Sequence, residues 1–102
     1  YDLEPITVNA NEPRQVRYIR ATLTLSMRKD DYKEAVKAIQ MKMPVLKNWL
    51  NLYLADCSIE QVRGSKNLNR ILRDIHDSFN EKLWPNGRPL IYRVHFKEWA
   101  VQ

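Results

Sequence analysis

The sequence predicts an α+β domain in which two N-terminal strands, a helical insertion and a C-terminal strand build a sheet packed on helices. Three observations predict it. Apolar and polar residues alternate from Val16 to Met27; apolar residues then recur every three or four positions from Tyr32 to Tyr53 and again from Leu68 to Phe79; and alternation returns from Leu90. A change of period from two to about 3.6 and back is a change from strand to helix and back.

The first strand is predicted over Leu3–Asn9, a β-branched stretch in which Pro5 suits an edge or a strand start because it has no N–H to give a ladder. Asn9–Pro13 is a turn cluster. The second strand follows over Val16–Met27. Ile19, Ala21, Leu23, Leu25 and Met27 form one apolar row, and Tyr18, Arg20, Thr22 and Thr24 point the other way, as in a sheet with one buried face.

Tyr32, Val36, Ile39, Met43, Leu46, Leu50 and Tyr53 then mark a helical stripe, with Asp30 or Asp31 placed to cap its start. Pro44 lies mid-stripe and cannot donate to the carbonyl of Gln40, so two helical segments sharing one buried face are expected. Between Asp56 and Gly64, Ser58 and Gln61 have the spacing of a capping box, in which each side chain bonds the other's backbone N–H. Gly64 ends that turn. The next helix begins near Ser65 and aligns Leu68, Ile71, Leu72, Ile75 and Phe79, with Arg70–Asp74 and Arg73–Asp77 as i,i+4 ion pairs on its outer face.

Trp84–Pro89 is a turn by composition. The closing strand, Leu90–Gln102, places Leu90, Tyr92, Val94 and Phe96 in one row and Ile91, Arg93, His95 and Lys97 in the other. Its alternation slips at Glu98-Trp99-Ala100-Val101, which a β-bulge or a change of sheet environment explains.

With 102 residues the chain reads as a single domain, 1–102, large enough to fold without metals or disulfides. A lone cysteine, Cys57, excludes an intramolecular disulfide, and no run of about 18 apolar residues provides a transmembrane helix. The chain opens at Tyr1 without a methionine, as a piece of a longer protein does. The net charge of +5 leaves nucleic acid, acidic lipid and acidic protein open as partners, but the 17 basic residues are dispersed from Arg14 to Lys97, as on an ordinary solvated surface.

Catalytic and metal chemistry find little purchase. The two histidines, His76 and His95, lack any metal-ligand spacing, and His76 reads as a helix-surface residue. Cys57 reads as a buried, inert thiol rather than the nucleophile of a Cys57–His76 pair. Asp74 and Asp77 share a helix face as acid–base carboxylates do, yet a basic residue one turn earlier accounts for each. The two glycines are too far apart for a phosphate loop. No enzyme activity, metal or cofactor is expected.

The remaining candidates form interaction surfaces. Tyr18, Arg20, Arg93, His95 and Lys97 mix aromatic and basic groups on the polar sheet face, a combination able to stack bases and pair phosphates. The aromatic-rich motif of RNA-recognition sheets is missing, so nucleic acid is not the expected partner. Trp49, beside Leu50 and near Leu52 and Leu54, makes Val45–Ala55 apolar on more than one face, which points to deep burial or self-association. Trp99, where the closing strand slips, completes the candidate set.

In order along the chain, these residues resemble the FliL family. Its first strand, Leu-Glu-Pro followed by Val-Asn, is matched by Leu3-Glu4-Pro5-Ile6-Thr7-Val8-Asn9, and its second by Arg17-Tyr18-Ile19 onward to Leu25. Ile59–Gly64 matches its short turn ending in Gly, and Asn80 the Asn at the end of its last helix. Val94-His95-Phe96-Lys97-Glu98-Trp99-Ala100-Val101-Gln102 matches its closing strand, with His95, Trp99 and Ala100 departing from the family pattern and Trp84–Pro89 longer than the family turn. The resemblance implies a stomatin-like (SPFH) fold. It also implies a flagellar basal-body component anchored in the bacterial inner membrane by one N-terminal helix absent from this chain, with this domain in the periplasm. Its implied partners are copies of itself, in a ring, and the ion-driven stator proteins of the motor, which the ring supports in swimming and swarming. A general stomatin-like membrane scaffold and a basic nucleic-acid-binding module are the competing readings.

Overall fold

The computed structural model describes residues 1–13 and 16–102; Arg14, the first basic residue of the sequence, lies outside the described residues. Three strands, β1 (Ile6–Asn9), β2 (Tyr18–Met27) and β3 (Ile91–Val101), form one antiparallel sheet in the order β1-β2-β3. Between β2 and β3 the chain forms three helices, α1 (Tyr32–Met41), α2 (Met43–Ala55) and α3 (Ser65–Leu83), which cover one face of the sheet. This is the predicted α+β order, and the buried row of β2 is the expected one: Ile19 and Leu25 are 0% exposed, Ala21 and Leu23 2%.

The predicted first strand divides at Glu4–Pro5. Ile6 pairs with Ala21, whereas Asp2 bridges Thr24, so the register shifts by one residue across the proline. Upstream of that shift, Leu3 N–H donates to Leu23 O at 2.9 Å and Leu25 N–H to Tyr1 O at 2.7 Å. Leu3 thereby reaches the core at 6% exposure.

β3 corrects the sequence reading in one respect. The slip near Glu98 is a bulge: Thr22 pairs with Glu98 and Leu23 with Phe96, leaving Lys97 unpaired. A second irregularity leaves Tyr92 unpaired between Arg93, opposite Ser26, and Ile91, opposite Met27. Each extra residue reverses the phase of the strand. The inward row is therefore Ile91, Val94, Phe96, Trp99 and Val101, and Tyr92, expected beside Val94, is 61% exposed while Ile91 is 2%. Burial of a large aliphatic side chain, about 1.5–3 kcal/mol, outweighs regular alternation here.

Pro44 stands in the first turn of α2, where its missing N–H has no intrahelical acceptor to lose; the helices break at Lys42. Asp31 occupies the position before α1 but makes no side-chain cap bond. Lys29–Asp31 forms a single 3-10 turn, and the Asp31 carboxylate accepts from both terminal nitrogens of Arg88, at 3.1 and 2.8 Å. The capping box forms as predicted: Ser58 N–H donates to Gln61 Oε1 at 2.9 Å, and Gln61 N–H to Ser58 Oγ at 3.4 Å. Gly64, at φ +83°, turns the chain into α3.

On α3 the predicted i,i+4 ion pairs do not form. Asp74 instead accepts the Tyr53 hydroxyl at 2.6 Å, and Asp77 Oδ1 lies 2.9 Å from His76 Nδ1. Nor is His76 a free surface residue: its Nε2 lies 3.0 Å from Ile91 O. Asn80, only 7% exposed, donates Nδ2 to the same carbonyl at 3.1 Å and accepts Ile91 N–H on Oδ1 at 3.0 Å. Its side-chain amide supplies Ile91 with the donor and acceptor that a neighbouring strand would supply, and so locks α3 to the start of β3. Ile39, Leu46, Ile71, Ile75 and Phe79, all 0% exposed, fill the space between sheet and helices.

Candidate functional site

The polar sheet face is built by the outward residues of β2 and β3. Tyr18 and Arg20 come from β2, Arg93 and His95 from β3, and Lys97 from the bulge. Two of these cations are met by carboxylates. Arg20 Nε donates to Glu98 Oε1 at 2.9 Å, with Thr22 Oγ1 3.4 Å from the same oxygen. Lys97 Nζ donates to Asp2 Oδ2 at 2.7 Å, and Thr24 Oγ1 to Asp2 Oδ1 at 2.7 Å. The Lys97 hydrogen bond, aided by that of Thr24, holds the Asp2 carboxyl below its usual pKa. Tyr18 and Arg93 lie toward opposite ends of the strand pair: Arg93 faces Ser26, eight positions along β2 from Tyr18, or roughly 26 Å at the usual strand rise. The five residues share a face without converging on one point.

The two tryptophans of the candidate set lie elsewhere. Trp99 pairs opposite Ala21 on the helix-facing side and packs on Phe96 with ring centroids 4.5 Å apart. Trp49, on α2, stacks on Tyr53 at 4.9 Å, meets the edge of Phe79 at 6.0 Å, and has Lys82 Nζ 5.7 Å from its ring centroid. The structure thus distributes the candidates over three places: the polar sheet face, the inner sheet face and the α2–α3 seam.

At that seam lies a feature the sequence reading approached without resolving. An open groove of about 580 Å³ runs between α2 and α3, lined by Trp49, Leu52, Tyr53, Asp56, Arg70 and Asp74 among others. On these helices three large apolar side chains are exposed: Met41, at the end of α1, is 75% exposed, and Val45 and Leu52, on α2, are 51% and 65%. The signal in the sequence was the apolar character of Val45–Ala55 on more than one helix face.

The comparisons with known proteins bear on this architecture. The family model described as flagellar basal body-associated protein FliL matches residues 1–102. The chain belongs to the FliL family. A search of curated proteins gives no match. FliL membership makes this a flagellar basal body-associated protein.

In this FliL chain the titratable groups are bound into the structure. Cys57 is 8% exposed, its Sγ lies 3.4 Å from Tyr53 O, and burial pushes its pKa up, which keeps it a thiol at neutral pH. The His76 ring is held by Asp77, Ile91 and Asn80, so the Cys57–His76 pair considered from sequence is not assembled. Burial, then the bond to Asp74, raises the pKa of the Tyr53 hydroxyl and fixes it as a donor. Among the described residues no group of three or more His, Cys, Asp and Glu is placed to hold a metal ion, and no helix is long and apolar enough to cross a membrane.

Proposed function

We propose that this FliL domain is a non-catalytic scaffold of the flagellar motor. Copies of it assemble into a ring around the ion-driven stator units and support them under load. The domain stands in the periplasm, tethered to the inner membrane by a helix preceding Tyr1, and its fold is stomatin-like. The observation that carries the reading is the exposure of the apolar residues Met41, Val45 and Leu52 of α1 and α2 in a chain that matches FliL over its whole length. Exposed apolar patches of this kind mark protein interfaces, and a head-to-tail contact that closes generates a ring.

The other outer surfaces are mostly polar, so the isolated domain is expected to be a monomer or a weak oligomer. Tethering in a membrane supplies the effective concentration that solution does not. The test combines genetics and assembly. Deleting the gene is expected to reduce swimming and swarming while flagella still form. Val45→Asp with Leu52→Asp, both on exposed positions, is expected to abolish cross-linked oligomers of the membrane-tethered protein and to reproduce the motility defect. Normal motility under high load in the deletion strain refutes motor support. A tight, salt-resistant ring formed by the isolated domain at micromolar concentration refutes dependence on the tether.

A further inference from the structure

Where β2 runs out into the Lys29–Asp31 turn, Arg28 and Tyr92 gather beside Arg93 of the polar sheet face. The register shift at Ile91–Arg93 turns Tyr92 outward, and its ring has two guanidinium groups within about 6 Å. Arg28 Cζ is 5.7 Å and Arg93 Cζ 5.8 Å from the ring centroid. Beside the ring a pocket of about 290 Å³ is walled by Arg28, Asp31, His76, Arg88 and Tyr92, among others. Arg88 is neutralised within it by Asp31. Arg28 and Arg93, in contrast, have no carboxylate within 4.0 Å among the described residues.

Two cations held at one exposed ring with no ion-pair partner among the described residues leave positive charge there that only the more distant Asp31 carboxylate offsets in part. An oxyanion at the rim would neutralise it. Arginine's planar fork matches phosphate oxygens, and tyrosine beside basic residues is the composition of protein surfaces seated at lipid headgroups. The path of the chain supplies the orientation. The Tyr1 nitrogen donates to Leu25 O at 2.9 Å, three positions from Arg28, so Tyr1 enters the sheet at the end that carries this rim.

We infer that the Arg28–Tyr92–Arg93 rim docks on the phosphate groups of an anionic membrane surface and holds this end of the domain against the bilayer. The inference rests on the membrane tether proposed above, which would leave the domain at the same end.

The test is co-sedimentation of the 102-residue chain with phosphatidylcholine vesicles, with and without phosphatidylglycerol, at low and high salt. Binding is expected only with phosphatidylglycerol, and salt weakens it. Arg28→Gln and Arg93→Gln are each expected to weaken partitioning about fivefold, as loss of one cation near an anionic surface does. Neither substitution breaks an ion pair, so circular dichroism should show both variants folded. Arg63→Gln with Lys66→Gln removes twice the charge of either rim variant beside the exposed start of α3 and should leave binding nearly unchanged.

Absence of binding to phosphatidylglycerol vesicles overturns the inference, as does an equal loss from the Arg63/Lys66 pair. Inorganic phosphate that shifts the amide resonances of Arg28 and Tyr92, without vesicle binding, also overturns it and leaves a site for the free ion. Failure here is separable from failure of the motor reading. Vesicle binding that persists while the deletion strain swims normally removes only the motor role. A motility defect without vesicle binding removes only the lipid site.

Discussion

Replacing Asn80 by alanine tests the joint between α3 and β3. Asn80 is 7% exposed and Ile91 2%, so water cannot readily take the place of the lost amide. Two hydrogen bonds to Ile91 disappear, Ile91 N–H to Oδ1 at 3.0 Å and Nδ2 to Ile91 O at 3.1 Å, together with the 3.2 Å contact of Nδ2 with His76 Nε2. The two losses are unequal. Ile91 O still has His76 Nε2 at 3.0 Å, a donor in the Nε2–H tautomer, so that side loses one ordinary bond, about 1 kcal/mol. Ile91 N–H is left without an acceptor, which costs about 1–3 kcal/mol. The sum, about 2–4 kcal/mol, is a large share of the stability of a domain this size, about 5–15 kcal/mol. At about 4–8 °C per kcal/mol, a loss of about 3 kcal/mol lowers Tm by about 12–24 °C.

Urea denaturation and calorimetry measure the effect, and hydrogen exchange at the Ile91 amide localises it. Asn67→Ala is the control. Asn67 Nδ2 also reaches two carbonyls, Glu60 O at 3.2 Å and Arg63 O at 2.9 Å, but at a solvent-exposed site where water replaces it. Its expected effect is below about 1 kcal/mol. An Asn80→Ala variant no less stable than Asn67→Ala, or one whose Ile91 amide remains protected, refutes the view that this amide closes the strand.

Two further substitutions probe the backbone and the acid limb of stability. Gly64 sits at φ +83°, ψ 146°, and nothing lies within 4 Å of where a Cβ would be, so Gly64→Ala pays only for backbone strain, about 1–3 kcal/mol by urea midpoint. At Gly87 the nearest neighbour of such a Cβ is Trp84 Cβ at 3.9 Å, an ordinary contact; Gly87→Ala should be close to neutral, and equal effects at the two glycines contradict the strain argument. The Arg88 hydrogen bond holds the Asp31 carboxyl below its usual pKa, so the folded chain takes up this proton less readily than the unfolded one. That contribution is complete above the unfolded carboxyl value of about 3.9 and is lost as the pH falls through the lower folded value. Asp31→Asn should therefore melt below the parent at neutral pH, with the difference closing in acid; a difference that persists unchanged to about pH 2 excludes this origin.

The candidate site was legible in kind more than in place. A polar sheet face carrying Tyr18, Arg20, Arg93, His95 and Lys97 follows from alternation, and the surplus apolar residues of Val45–Ala55 point to deep burial or self-association, of which the exposure of Val45 and Leu52 excludes burial for those two. Alternation does not give partners. Arg20 meets Glu98 diagonally across the β2–β3 pair, and Lys97, freed by the bulge, reaches over β2 to Asp2, across separations of 78 and 95 residues. The Arg28–Tyr92–Arg93 rim left no mark in the sequence, since the bulge that frees Tyr92 also breaks the strict period by which its side would be assigned.

What the sequence determined by itself was local. The strand of alternating residues, the helical stripe broken by Pro44, the Ser58–Gln61 capping box and the turn at Gly64 depend on neighbours a few positions away, and each formed in place. Tertiary structure decided wherever a polar group had a choice of partner. Asp31 left the helix start for Arg88, Asp74 took Tyr53 rather than Arg70, and Asn80 and His76 turned to the backbone of Ile91. The closing strand admitted two bulges so that Ile91 and Trp99 faced inward. The physical reason is common to these cases. A local partner gains a few tenths of a kcal/mol at an exposed site, whereas a buried polar group left unpaired, or a large apolar one left in water, costs several times more.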